Sequence, residues 1–78
     1  MSYQITGPQC AAARKLLKLE QSEVAASIGV GRESLSNFER EVSRLNGPNM
    51  EKLLAFFDDR SVSFVVQGRA RGVLLIDG

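Results

Sequence analysis

Apolar positions along the chain change their period near residue 60. Before that point they recur at spacings of three and four, the stripe with which a helix buries one face. After it they alternate or run together with β-branched types, as strands do. The pattern predicts a mainly α fold: a four-helix body over residues 1–60 and a C-terminal β-hairpin over residues 61–78. No internal repeat and no Ser/Gly/Pro-rich linker divides the chain.

The first helix is expected to start at Thr6. In Thr6-Gly7-Pro8-Gln9 the Thr hydroxyl can accept from the fourth residue's N–H, and Gln9 can reach back, which is a capping box. Pro8 is harmless in a first turn, where N–H groups have no intrahelical partner. Cys10, Ala13, Leu16 and Leu17 make its inward stripe, and the helix should end near Lys18. A second helix fits Gln21 to Ile28, with Val24, Ala25 and Ile28 inward and Gly29 as a left-handed stop. Its cap is weak, because Glu20 stands where Ser or Thr is preferred. A third fits Arg32 to Arg40, with Gly31 as cap. A fourth fits Gly47 to Asp58, capped by Asn46, with Pro48 in its first turn and Met50, Leu53, Leu54 and Phe57 buried.

The remainder reads as two strands, Ser61 to Val66 and Val73 to Ile76, joined through Gln67-Gly68-Arg69-Ala70-Arg71-Gly72. That loop is longer than the tightest hairpin types. A lone hairpin is marginal in water, so its apolar residues need a second surface. Either the helical body or another subunit can supply it. For pairing between subunits the expected contacts are Val62, Phe64, Val66, Val73 and Leu75.

Composition narrows the function. With 78 residues and 44% hydrophobic content, the chain supports one modest core and little room for a deep cleft. There is no histidine, which removes the commonest general base and metal ligand together. A single cysteine, Cys10, allows no internal disulfide and no multi-cysteine zinc site. An enzyme is not expected, and neither is a cofactor. Ten basic against nine acidic residues give +1, which names no partner by itself. The N-terminal residues lack the pattern of a secretory signal, and no apolar run is long enough for a bilayer. A cytoplasmic setting with no membrane partner is expected.

Gln21 to Arg40 carries the functional information. Two short helices with a tight Gly-containing turn form a helix-turn-helix, whose second helix can enter the DNA major groove. Ala25 is small where the helices cross, and Gly29 permits the turn. Val30, Leu35 and Phe38 can anchor the second helix. With Leu35, Phe38 and Glu39 inward, Arg32, Glu33, Ser36, Asn37 and Arg40 share the outward face. These side chains read base edges: Arg on guanine, Asn on adenine, Glu on the cytosine amine.

The stretch Gln21-Ser22-Glu23-Val24-Ala25, Gly29-Val30-Gly31-Arg32 and Leu35-Ser36-Asn37-Phe38-Glu39-Arg40 resembles the phage-repressor/Cro helix-turn-helix family, the xenobiotic-response-element-like regulators. The resemblance covers about residues 5 to 58. It implies a repressor-like DNA-binding domain whose partner is double-stranded DNA. Gln21 would bond a phosphate and reach the recognition helix. Arg32, Glu33 and Asn37 match base-contacting positions. Arg14 and Glu39 match a buried salt bridge between the first and third helices. Arg44 and Asn46 match backbone-contacting positions, and a helix N-terminus at Asn46 and Gly47 suits a phosphate.

Three departures from the family pattern bear on affinity. Gly31 replaces the common Ser or Thr at the recognition-helix cap. Glu41 stands where Gly often follows Glu-Arg, placing negative charge near the DNA backbone. Glu33 repels phosphate unless a cytosine amine lies close. With the low net charge these imply modest non-specific affinity, and hence a dimer. The usual fifth helix is replaced by the hairpin.

The resulting expectation is a homodimeric transcriptional regulator, a repressor on an inverted-repeat operator, with residues 32–40 in the major groove. The alternative is a DNA-binding antitoxin or adaptor whose hairpin grips a protein partner.

Overall fold

The computed structural model describes residues 4–76. Among them are four helices, α1 (Gly7–Leu16), α2 (Gln21–Ile28), α3 (Arg32–Glu39) and α4 (Gly47–Asp58). Two strands follow, β1 (Val62–Gln67) and β2 (Ala70–Leu75), paired antiparallel. The expected hairpin segment also took in Asp77 and Gly78, and the expected helical body residues 1–3, all of which lie outside the described residues.

Local chemistry accounts for the helix starts. Thr6 Oγ1 accepts from the Gln9 N–H (3.2 Å) and Gln9 Oε1 accepts from the Thr6 N–H (3.0 Å), closing the capping box. Asn46 Oδ1 accepts from the Asn49 N–H at 2.8 Å and starts α4. At α2 the poor cap at Glu20 is offset by Glu23, whose carboxylate accepts the Glu20 N–H at 2.9 Å.

The first three helices end in the same way. In each, the residue two beyond the final turn donates across six residues while its predecessor donates across four, the Schellman arrangement. The bonds are Leu19 N–H to Arg14 O, Val30 N–H to Ala25 O, and Val42 N–H to Asn37 O. The pivot residues, Lys18, Gly29 and Glu41, all have positive φ (58°, 74° and 62°). Only α2 uses glycine there.

Two expectations about α1 need correction. It stops at Leu16, because Lys18 is left-handed rather than helical. Leu16 is also 46% exposed instead of inward. Six residues of helix rotate Leu16 about 120° away from Cys10, whereas Leu17, one position on, returns to within about 20°. Leu17 accordingly packs against the core with Cys10 and Ala13. In α4 the buried set gains Phe56, and Leu54 is only half-buried.

The hairpin also differs from the sequence reading. Strand pairing continues to Gln67 opposite Ala70, so the connection is the two residues Gly68 and Arg69 rather than a six-residue loop. Gly68 has φ of 60°, which supplies the positive angle a two-residue hairpin turn needs at its first position.

Cross-strand partners share a face of the sheet. On the inner face, Val62 is 5% exposed and belongs to the core, with Phe64 and Val73 packed against it. The Phe64 ring meets Phe57 of α4 edge-on, with centroids 5.6 Å apart. Three of the five residues expected at a subunit interface, Val62, Phe64 and Val73, are thus turned toward the chain's own helices. Val66 and Leu75 remain exposed. The next pair along, Val65 and Gly72, points outward and leaves bare backbone inside. Buried Gln9 covers that backbone, its Nε2 donating to Val65 O (3.3 Å) and Gly72 O (3.0 Å).

Candidate nucleic-acid interface

The recognition helix must be held at a fixed angle before its outward side chains can read anything. Here that constraint converges on one carboxylate. Glu39, in the last turn of α3, accepts from Arg14 Nε at its Oε2 and from Arg14 Nη2 at its Oε1, both at 2.9 Å. Gln21 Nε2 donates to Oε1 at 2.9 Å, and the Cys10 thiol donates to Oε2 at 3.4 Å. Arg14 Nη1 adds a bond to Leu19 O at 3.1 Å, fastening the α1–α2 connection. One buried group therefore joins α1, α2 and α3.

The electrostatics are self-consistent. Burial pushes the Glu39 carboxyl up, but the bonds from Arg14, Gln21 and Cys10, with the Arg14 charge, outweigh it. The group is held below its ordinary value. Arg14 is raised by its bond to Glu39. Burial, and then the neighbouring Glu39 charge, push the Cys10 thiol far up, so it remains a protonated donor. Cys10 serves structure rather than redox chemistry.

A second constraint comes from Gly7. A Cβ placed there would collide with the Phe38 carbonyl oxygen and sit 2.9 Å from Glu39 Cα. The absence of a side chain lets the start of α1 rest directly on the end of α3.

With α3 so held, Leu35 and Phe38 are buried beside Glu39, and Arg32, Glu33 and Arg40 are exposed. Ser36 and Asn37 lie on the same outward side, half-buried. Arg40 Nη2 donates to Asn37 Oδ1 at 2.7 Å, tying two of these residues together across one helical turn. Gln21 is half-buried at the start of α2, and its bond to Glu39 uses one of two amide hydrogens. The other is free in valence for an acceptor such as phosphate. Arg44 is exposed on the α3–α4 connection. Asn46 is exposed too, but its Oδ1 is engaged in capping α4, which leaves only its Nδ2 as a donor outward.

Sequence reading missed three contributors. Gln9 was visible only as a cap, because its bonds to the hairpin span 56 and 63 residues. Gly7 gave no local sign of its contact with α3. The Asn37–Arg40 bond was detectable from their three-residue spacing.

A sequence model of the helix-turn-helix family matches residues 11–65. No curated protein matches the chain.

Proposed function

The chain belongs to the helix-turn-helix family of Cro/C1 type and is a DNA-binding transcriptional regulator; beyond this, we propose that it is a repressor acting in the cytoplasm as a homodimer on an inverted-repeat operator. The carrying observation is the Glu39 cluster. It locks α3 to both preceding helices while Arg32, Glu33, Ser36, Asn37 and Arg40 stay on the outward side. A helix fixed from behind and polar in front suits major-groove readout. Gln21, Arg44 and Asn46 supply phosphate contacts on either side, setting register without reading sequence.

In this proposal residues 1–60 bind DNA and residues 61–78 bring two copies together. What supports the second part is the outer hairpin face, Ser63, Val65, Gly72, Leu74 and Ile76, which carries no charge. Val65, Leu74 and Ile76 are 36%, 55% and 57% exposed there. An uncharged patch can meet its own copy about a two-fold axis without like-charge repulsion. The same patch favours, as a second reading, an adaptor or antitoxin whose hairpin takes a different protein.

Selection of binding sites from a random double-stranded DNA pool tests the reading. The expected product is an inverted repeat with half-site centres about one helical turn, on the order of 34 Å, apart. Enrichment of a single unrepeated half-site would refute the homodimer, and no enrichment would refute sequence-specific repression.

A further inference from the structure

We infer that Arg40 is a positioning residue for Asn37: it holds the Asn37 amide with its oxygen engaged and its NH2 group presented, so that the pair reads guanine rather than adenine. The inference rests on the proposed major-groove role of α3 and assigns it a base preference.

The atom facing Arg40 is not ambiguous. A guanidinium has donors and no acceptor, so the Asn37 atom 2.7 Å from Nη2 is the carbonyl oxygen. The bond is charge-assisted and short, and three residues apart on a helix is a spacing at which side chains meet. Asn37 is also half-buried, which limits the orientations of its amide, and its backbone carbonyl is tied to the N–H groups of Val42 (2.8 Å) and Ser43 (3.3 Å).

Adenine recognition by asparagine needs both halves of the amide: Nδ2 donates to N7 while Oδ1 accepts from the N6 amino group. In this chain a cationic donor already occupies the Oδ1 side. An adenine amino group arriving there would bring a second donor against the guanidinium. Guanine offers two acceptors, O6 and N7, along the same edge. The Asn37 NH2 and the remaining Arg40 N–H groups are all donors, and they match that edge. With Oδ1 already accepting from Arg40, the outward pair presents mainly donors, which favours guanine over the adenine expected of an unpaired Asn37.

The test is site selection from a random double-stranded DNA pool with three proteins: the wild type, Asn37→Ala and Arg40→Met. Asn37→Ala identifies the operator position whose preference depends on Asn37. Wild type should prefer guanine there, by about tenfold over adenine. Arg40→Met, which removes the donor while keeping an unbranched side chain, should shift that one position toward adenine. Adenine preferred by the wild type would overturn the inference. So would an Arg40→Met protein that weakens on all sequences alike, the behaviour of a phosphate contact. If the wild type selects no sequence yet still binds DNA in a salt-dependent way, the reading of α3 as a base reader fails and the inference fails with it; an operator without the guanine preference sinks this inference alone.

Discussion

Arg14 and Glu39 form a two-pronged ion pair, Nε to Oε2 and Nη2 to Oε1, both at 2.9 Å, with side chains only 12% and 4% exposed. Breaking one member of such a pair leaves the other buried without compensation. Glu39→Ala should cost about 3 kcal/mol of folding stability, readable as a lowered urea midpoint.

The same pair sets an acid limit. Because the folded Glu39 titrates below its ordinary value of 4.5, the unfolded chain takes up the proton first as pH falls. Its contribution is complete above the ordinary value and is lost as pH drops through the lower folded one. Urea midpoints of the wild type should therefore begin to fall as pH drops through the ordinary carboxylate range and keep falling through the lower folded value. Glu39→Gln should start lower at neutral pH and show a flatter acid limb; an equally steep limb would place the sensitivity on other carboxylates.

Gly7→Ala should destabilise by about 2 kcal/mol, since the added methyl meets α3 backbone rather than a yielding side chain. Gly47 is the control. It is also a first-turn helical glycine, but nothing lies within 4 Å of its Cβ position, so Gly47→Ala should be neutral or stabilising by about 0.5 kcal/mol. Thermal melts of the two variants make the comparison.

Much of this was legible along the chain because it is local. The capping box at Thr6, the stop at Gly29 and the start of α4 at Asn46 depend on residues within one turn of each other. The outward and inward sides of α3 follow from helical rotation alone. The misses are non-local or finely angular. Leu16 lies about 120° round the helix from Cys10, just off the buried stripe that Leu17 completes. The contact of Gly7 with α3, and the span of Gln9 to Val65 and Gly72, join segments whose proximity no local pattern encodes. Glu41 is an intermediate case: its departure from the family's glycine was visible, but its left-handed backbone was not.

Glu41→Gly should therefore stabilise. A φ of 62° costs a side-chain-bearing residue about 1 kcal/mol, part of which glycine returns as lost chain freedom. A net gain of about 0.5 kcal/mol is expected in the urea midpoint. Removal of the negative charge should also tighten DNA binding at low salt, with the difference shrinking as salt rises.

Arg44→Ala and Asn37→Ala should separate positioning from reading. Loss of Arg44 should weaken binding to all DNA about equally and reduce the slope of log affinity against log salt by about 1. Loss of Asn37 should leave the slope nearly unchanged and relax one operator position. Titrations over a salt series, with operator and scrambled DNA, give both quantities. Equal loss of discrimination from the two variants would contradict this division.

The hairpin offers its own separation of fold from assembly, because its two faces are chemically independent. Phe64 meets Phe57 inside the chain, so Phe64→Asp should unfold or loosen the protein whatever its oligomeric state. Leu74 is 55% exposed on the opposite face, and Leu74→Asp should leave the melting temperature of a monomer almost unchanged. If that face joins two copies, sedimentation at micromolar concentration should show a wild-type dimer and a Leu74→Asp monomer of normal helical content. That monomer should need more protein to occupy an inverted repeat while still binding a single half-site. A Leu74→Asp protein that stays dimeric would move the contact to the strand edges or to Val66 and Leu75. A wild type that is monomeric at this concentration would count against the homodimer and leave the uncharged face to a different protein.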